Sequence, residues 1–173
     1  MTDTNWMLPV LAVALVIAVV TDLTAHRIPN WLTLSLVVVG LAGQAVVGHW
    51  QGLLVGLGGG LVGLLCFLPL HIFGAMGAGD VKLMTAVGVL LGPQTAFVSV
   101  LATIAFGGGI ALVFIGLRGG LGAFCRRYGR MAVMLASRKP VYLAPAVGEA
   151  AAERFPYALA IACGSFFSIW YLA

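Results

Sequence analysis

Apolar residues in this chain gather into long unbroken runs, and short polar stretches separate them. A helix that crosses lipid needs about 20 apolar residues. Its backbone must be satisfied within the helix, because hydrocarbon offers no partners. Runs at about 6–21, 31–47 and 52–73 each predict such a helix. Gly48-His49-Trp50-Gln51 closes the second, and Gly74 to Asp80 follows the third. The next run, Val81 to Leu117, is too long for one span, and Gly92-Pro93 divides it. Proline lacks an N–H and clashes with the preceding turn. A hairpin of unequal arms is therefore expected, with a short first arm from Val81 to Leu91. At 1.5 Å per residue that arm covers only about half of a ~30 Å core. A last run covers Phe155 to Leu172. The expected fold is all-α: a polytopic membrane protein of about six transmembrane helices. The expected organisation is one membrane-embedded domain over residues 1–173, with a basic segment at about 118–154.

Composition supports lipid as the solvent. Apolar residues make up 62% and charged residues 8%, whereas soluble domains are about a quarter charged. The net charge of +4 would suit nucleic acid if it formed a stripe. It does not, because Arg27, Lys82, Arg118, Arg126, Arg127, Arg130, Arg138, Lys139 and Arg154 all fall between apolar runs. With the N-terminus outside, the inside segments 22–30, 74–82 and 118–154 hold all nine cations. The positive-inside rule asks for that bias. The charge is topogenic, and no nucleic-acid partner is expected.

Met1 to Trp6 carries Asp3 and no Lys or Arg, so the cationic start of a cleaved signal is missing. The first run thus reads as a retained span and not as a cleaved signal. Cys66, Cys125 and Cys163 are widely separated, so neither a zinc knuckle nor a redox pair is indicated. No metal or cofactor is expected. Leu121, Phe124, Cys125, Tyr128, Met131, Ala132 and Leu135 recur at helical spacing. That predicts a basic amphipathic helix in the headgroup region. Gly52, Gly56 and Gly60, with Gly59 and Gly63, recur every four residues, a spacing that lets helix backbones approach closely in lipid.

Candidate chemistry rests on two acids. Of five carboxylates, Asp22 and Asp80 stand at the ends of apolar runs, where ionisable groups are costly and mark function. The topology puts both at the inner face. Asp80 follows Gly79 and opens a run, so it is expected as a helix N-cap, whereas Asp22 comes near the end of the first span. Helix polarity therefore favours Asp80 as base and Asp22 as acid. A carboxylate pair sharing these duties can hydrolyse an amide. The plain alternatives are an N-cap at Asp80 and a boundary charge at Asp22 paired with Arg27. Gly77 and Gly79 permit close approaches, and could admit an extended substrate strand beside Asp80.

Gly77-Ala78-Gly79-Asp80-Val81-Lys82-Leu83 resembles the GxGDxKL motif of the type IV prepilin peptidases. Asp22, followed by Arg27-Ile28-Pro29-Asn30, is similar to that family's aspartate and IPN-type turn. Phe155-Pro156-Tyr157-Ala158 resembles its late PYG-like segment, with Ala158 where Gly is usual. The resemblance implies a GxGD-class aspartyl protease of the bacterial inner membrane. Asp22 and Asp80 would be its catalytic pair. Gly77, Gly79, Lys82, Arg27, Pro29 and Asn30 would support the site. Its implied partners are membrane lipids and a prepilin or pseudopilin, cut at the cytoplasmic face after the glycine that precedes the substrate's apolar helix. The chain lacks the cytoplasmic region with paired CxxC motifs found in long members. It resembles the short form of Flp/Tad-type pilus systems, and no methyltransferase activity is expected.

Two rivals come from other classes. A cation- or proton-coupled transporter or channel would also carry membrane acids, but only His71 and Gln44 could extend a polar path across the bilayer. A non-catalytic factor of pilus or secretion assembly is the other.

Overall fold

The structure is a computed structural model that describes residues 6–72, 76–117, 122, 126 and 157–172. Among these the regular structure is entirely helical. Four helices carry it: α1 (Met7–Ala25), α2 (Asn30–Ile72), α3 (Ala78–Leu117) and α4 (Tyr157–Leu172). The first three are long and apolar enough to cross a membrane, and α4 is a shorter apolar helix of 16 residues. This is an integral membrane protein. Apart from Gly122 and Arg126, the basic segment at 118–154 lies outside the described residues, as do the amphipathic stripe from Leu121 to Leu135 and Phe155-Pro156. The chain divides into two compact units, Met1–Gly107 with Pro156–Ala173, and Gly108–Phe155. The helix breaks, the core and both aspartates belong to the first unit.

Both long helices break where punctuation predicted it. In α2 the break is His49, with φ 49° and ψ −132°. In α3 it is Gly92, with φ 74°, a left-handed angle that glycine adopts without penalty. Beyond His49 the chain doubles back. A side chain at Gly52 would strike the Gln44 carbonyl oxygen, and one at Gly56 would lie 3.3 Å from Leu41. Residues 44 and 52, then 41 and 56, face each other as an antiparallel pair must.

Small residues set how close the helices come. A side chain at Gly59 would strike the Gly88 carbonyl oxygen, and one at Gly88 would strike that of Gly59. Gly40, Gly60 and Gly63 likewise abut Val89, Leu90, Met84 and Thr85. The first arm of α3 thus lies against both arms of α2, backbone nearly touching backbone. It is apolar all round and buried from Asp80 to Leu90 except at Lys82 and Thr85. A helix of that kind belongs in an interior. The second arm, as far as Gly107, pairs with α4, where Ser99 Oγ and Ser165 Oγ are 3.1 Å apart. A side chain at Gly164 would strike Thr103 Oγ1, and one at Gly107 would lie 3.4 Å from Ala160.

The core is Leu11, Leu15, Ala18, Phe67, Leu83, Met84, Val87 and Ile161 with their neighbours. On α1 the buried positions are Met7, Leu11, Ala14, Leu15, Ala18 and Asp22. They recur at helical spacing, so the stripe that carries the core also carries Asp22 inward. Val13, Val16 and Val20 point outward and are more than half exposed, as a lipid-facing surface allows.

Candidate active site

The turn between α1 and α2 meets the start of α3 at one end of this unit, and both aspartates are there. Asp22 lies in the last turn of α1, which His26 closes in the left-handed conformation, its N–H donating to the Asp22 carbonyl at 2.9 Å. The Asp22 side chain is 8% exposed, and its Oδ2 accepts the Ala158 N–H at 3.2 Å. That N–H belongs to the first turn of α4, where backbone donors have no partner in their own helix.

Asp80 is also 8% exposed. Its place differs from the expected N-cap. The helix begins at Ala78, so Asp80 is the third helical residue and Gly77 takes the cap position. The Gly77 N–H donates to Asp80 Oδ2 at 3.1 Å, and the Asp80 N–H donates to the Gly77 carbonyl at 3.2 Å. The acid reaching back to the cap N–H is one half of a capping box, and the returning bond is made by the backbone because Gly77 has no side chain. The difference arises because an apolar run marks where burial starts, and Ala78-Gly79 could belong to turn or helix alike.

The two acids share this end because the start of α3 rests on the turn that follows α1, through Gly79 against Ile28 and Lys82 on Asn30. Among the described residues neither carboxylate has a salt-bridge partner, so Arg27, which is exposed, does not neutralise Asp22. The expected division of roles by helix polarity also changes. Asp22 ends one helix but meets the start of another, so each carboxylate accepts an N–H at the opening of a helix. Helix polarity does not separate them.

The supporting residues gather around the pair. A side chain at Gly79 would lie 3.3 Å from Ile28 Cβ, so the start of α3 rests on the turn between α1 and α2. That contact fills the space beside Gly79, whereas Gly77 is exposed at the other side and a side chain there would lie 3.2 Å from Asp80 Oδ2. Lys82 Nζ donates to Asn30 Oδ1 at 2.9 Å. The Pro29 carbonyl accepts the Leu32 N–H at 3.1 Å, opening α2. Arg27, Pro29 and Asn30 thus form the turn that faces the GxGD segment. Among the described residues no three His, Cys, Asp or Glu side chains group as a metal would require.

Two further residues join the site in roles that the sequence did not assign, although Ala158 stands in the PYG-like segment. The backbone N–H of Ala158 has no side-chain signature. His71 reads along the chain as a lone polar residue, yet it approaches the Met76 carbonyl at 3.0 Å, next to Gly77.

Two buried carboxylates thus stand at one end of a helical membrane protein, with no salt-bridge partner among the described residues. The model of the type IV leader peptidase family matches residues 9–112, and the chain belongs to that family. It is accordingly a protease of the leader-peptidase kind. The matched stretch includes Asp22, the 27–30 turn and Asp80, and it ends before α4. No curated protein and no solved structure matched the chain.

Proposed function

We propose that this protein is a prepilin leader peptidase of the aspartyl type, with Asp22 and Asp80 as its catalytic pair. The observation that carries the proposal is their joint burial at one end of the helices, with no salt-bridge partner among the described residues. Burying an unpaired acid is costly and is not retained for stability. One carboxylate takes a proton from water as the water attacks the scissile carbonyl. The other, protonated, donates to that carbonyl and then to the leaving nitrogen as the C–N bond breaks. The substrate is a prepilin or pseudopilin whose apolar helix enters from lipid, cut after the glycine before that helix.

In this reading α2 and α3 each cross twice, giving six crossings with α1 and α4. Their lengths support it: 43 and 40 residues extend to about 65 and 60 Å at 1.5 Å per residue, twice a ~30 Å core. With the N-terminus outside, the aspartates face the cytoplasm, an orientation that the distribution of the nine cations supports. The membrane is the bacterial inner membrane.

The test is cleavage of a prepilin-type substrate by the purified protein in lipid nanodiscs. Asp22→Asn and Asp80→Asn are each expected to abolish cleavage while the protein remains helical and monodisperse. Retained cleavage in either variant refutes the pair.

A further inference from the structure

One peptide unit beside the site is hydrogen-bonded at both ends. The carbonyl oxygen of Met76 accepts from His71 Nδ1 at 3.0 Å. The N–H of the same peptide, that of Gly77, donates to Asp80 Oδ2 at 3.1 Å. A carbonyl has no proton to give, so Nδ1 of His71 carries the hydrogen. Resonance joins the two bonds electronically. Donation to the carbonyl oxygen draws density from nitrogen and makes the N–H a better donor.

The placement adds a mechanical side. His71 stands in the last turn of α2 and is partly buried. Gly77 is exposed and has no side chain that could lock its peptide plane. Rotation of that plane would turn the N–H away from Asp80. The His71 bond opposes the rotation from the carbonyl side, while Met76 packs against the core.

We propose that His71 is a positioning residue for Asp80, acting through the Met76–Gly77 peptide. It keeps one carboxylate oxygen occupied by Gly77 and so leaves the other to face water or substrate. This rests on the reading of Asp80 as catalytic.

Three substitutions separate this role from simple packing. His71→Leu removes the donor. His71→Asn places an amide nitrogen where Nδ1 stands. His71→Gln carries its amide to the place of Nε2. In the nanodisc cleavage assay, Leu and Gln are expected to lower kcat about three- to tenfold, the worth of one hydrogen bond. KM should stay within about twofold, because ground-state binding is untouched. Asn is expected to restore kcat. Equal kcat in all variants, a loss confined to KM, or an Asn variant as slow as Leu overturns the proposal.

A second measurement does not depend on turnover or on the Leu variant folding. The Gly77 amide proton in isotope-labelled protein should resonate downfield in the wild type. It should move upfield in folded His71→Gln and in Asp80→Asn, and stay in place in His71→Asn. An unchanged Gly77 resonance in His71→Gln overturns the proposal. Failure of the underlying reading looks different: Asp80→Asn would still cleave. An inactive Asp80→Asn with normal His71 variants rejects only the role of His71.

Discussion

Asp22 Oδ2 accepts the backbone N–H of Ala158 at 3.2 Å, so an acid at the end of the first helix is held by the first turn of the last. Proline is tolerated in the first turn of a helix and has no N–H to give. Ala158→Pro is therefore expected to keep α4 and release the carboxylate. A hydrogen bond to a charged group contributes about 1.5–3 kcal/mol, so cleavage should fall about ten- to a hundredfold. Ala158→Gly keeps the donor and should stay within about threefold of wild type. Initial rates on a prepilin-type substrate decide between them. Equal rates for the Pro and Gly variants would show that the bond does not matter to catalysis.

Gly77 and Gly79 are expected to separate activity from stability. A methyl at Gly77 would press on Asp80 Oδ2, whereas one at Gly79 would press on Ile28. Alanine at a helix cap in place of glycine costs about 1 kcal/mol or less, which is about 2–4 °C in melting temperature for a chain of this size. Gly77→Ala should stay within that range and still lose most of its cleavage. Gly79→Val, with a larger group between α3 and the 27–30 turn, should lose both. Thermal melts run beside cleavage rates check the pair of variants.

Gln44 has a structural duty. Its Nε2 donates to the Leu90 carbonyl at 3.0 Å and lies 3.5 Å from that of Val89. In an unbroken helix those carbonyls would accept from residues 93 and 94. Residue 93 is proline and has no N–H, and Gly92 turns the chain away. Gln44→Leu leaves the carbonyls unsatisfied, so a loss of about 1–3 kcal/mol is expected. Reversible unfolding in mixed detergent micelles measures it. The same bond means that Gln44 braces a helix break, which weakens the case for a polar transport path through it.

The Gly59–Gly88 crossing should resist any side chain. Each would meet the other's carbonyl oxygen, and overpacking a tight interface costs about 1–3 kcal/mol. Gly88→Ala is expected to lower the melting temperature by several degrees. At Gly58 the nearest atom to an added methyl is Pro93 Cγ at 3.9 Å, so Gly58→Ala should be neutral or slightly stabilising. Equal melting temperatures for the two variants would contradict this packing.

Much of this protein is legible along the chain. Lipid as solvent, the helical class, the breaks at 48–51 and 92–93 and the two aspartates all follow from local rules. Long apolar runs can satisfy their backbone in lipid only as helices, and a Gly-Pro pair stops one wherever it stands. The glycine repeats announce close packing, because spacing along a helix decides which residues share a face. Three features belong to the tertiary structure alone. Asp80 is the third residue of its helix, because the helix starts at Ala78 and not at the first large apolar side chain. Asp22, at the end of α1, meets the opening of α4, so each carboxylate accepts an N–H at a helix start and the expected acid–base division by helix polarity disappears. The Ala158 N–H meets Asp22, and His71 Nδ1 meets the Met76 carbonyl; each contact involves a backbone group, whose partner no sequence pattern names. Local chemistry is written in side chains, but the partner of a buried carboxylate is chosen by whichever backbone the fold brings beside it.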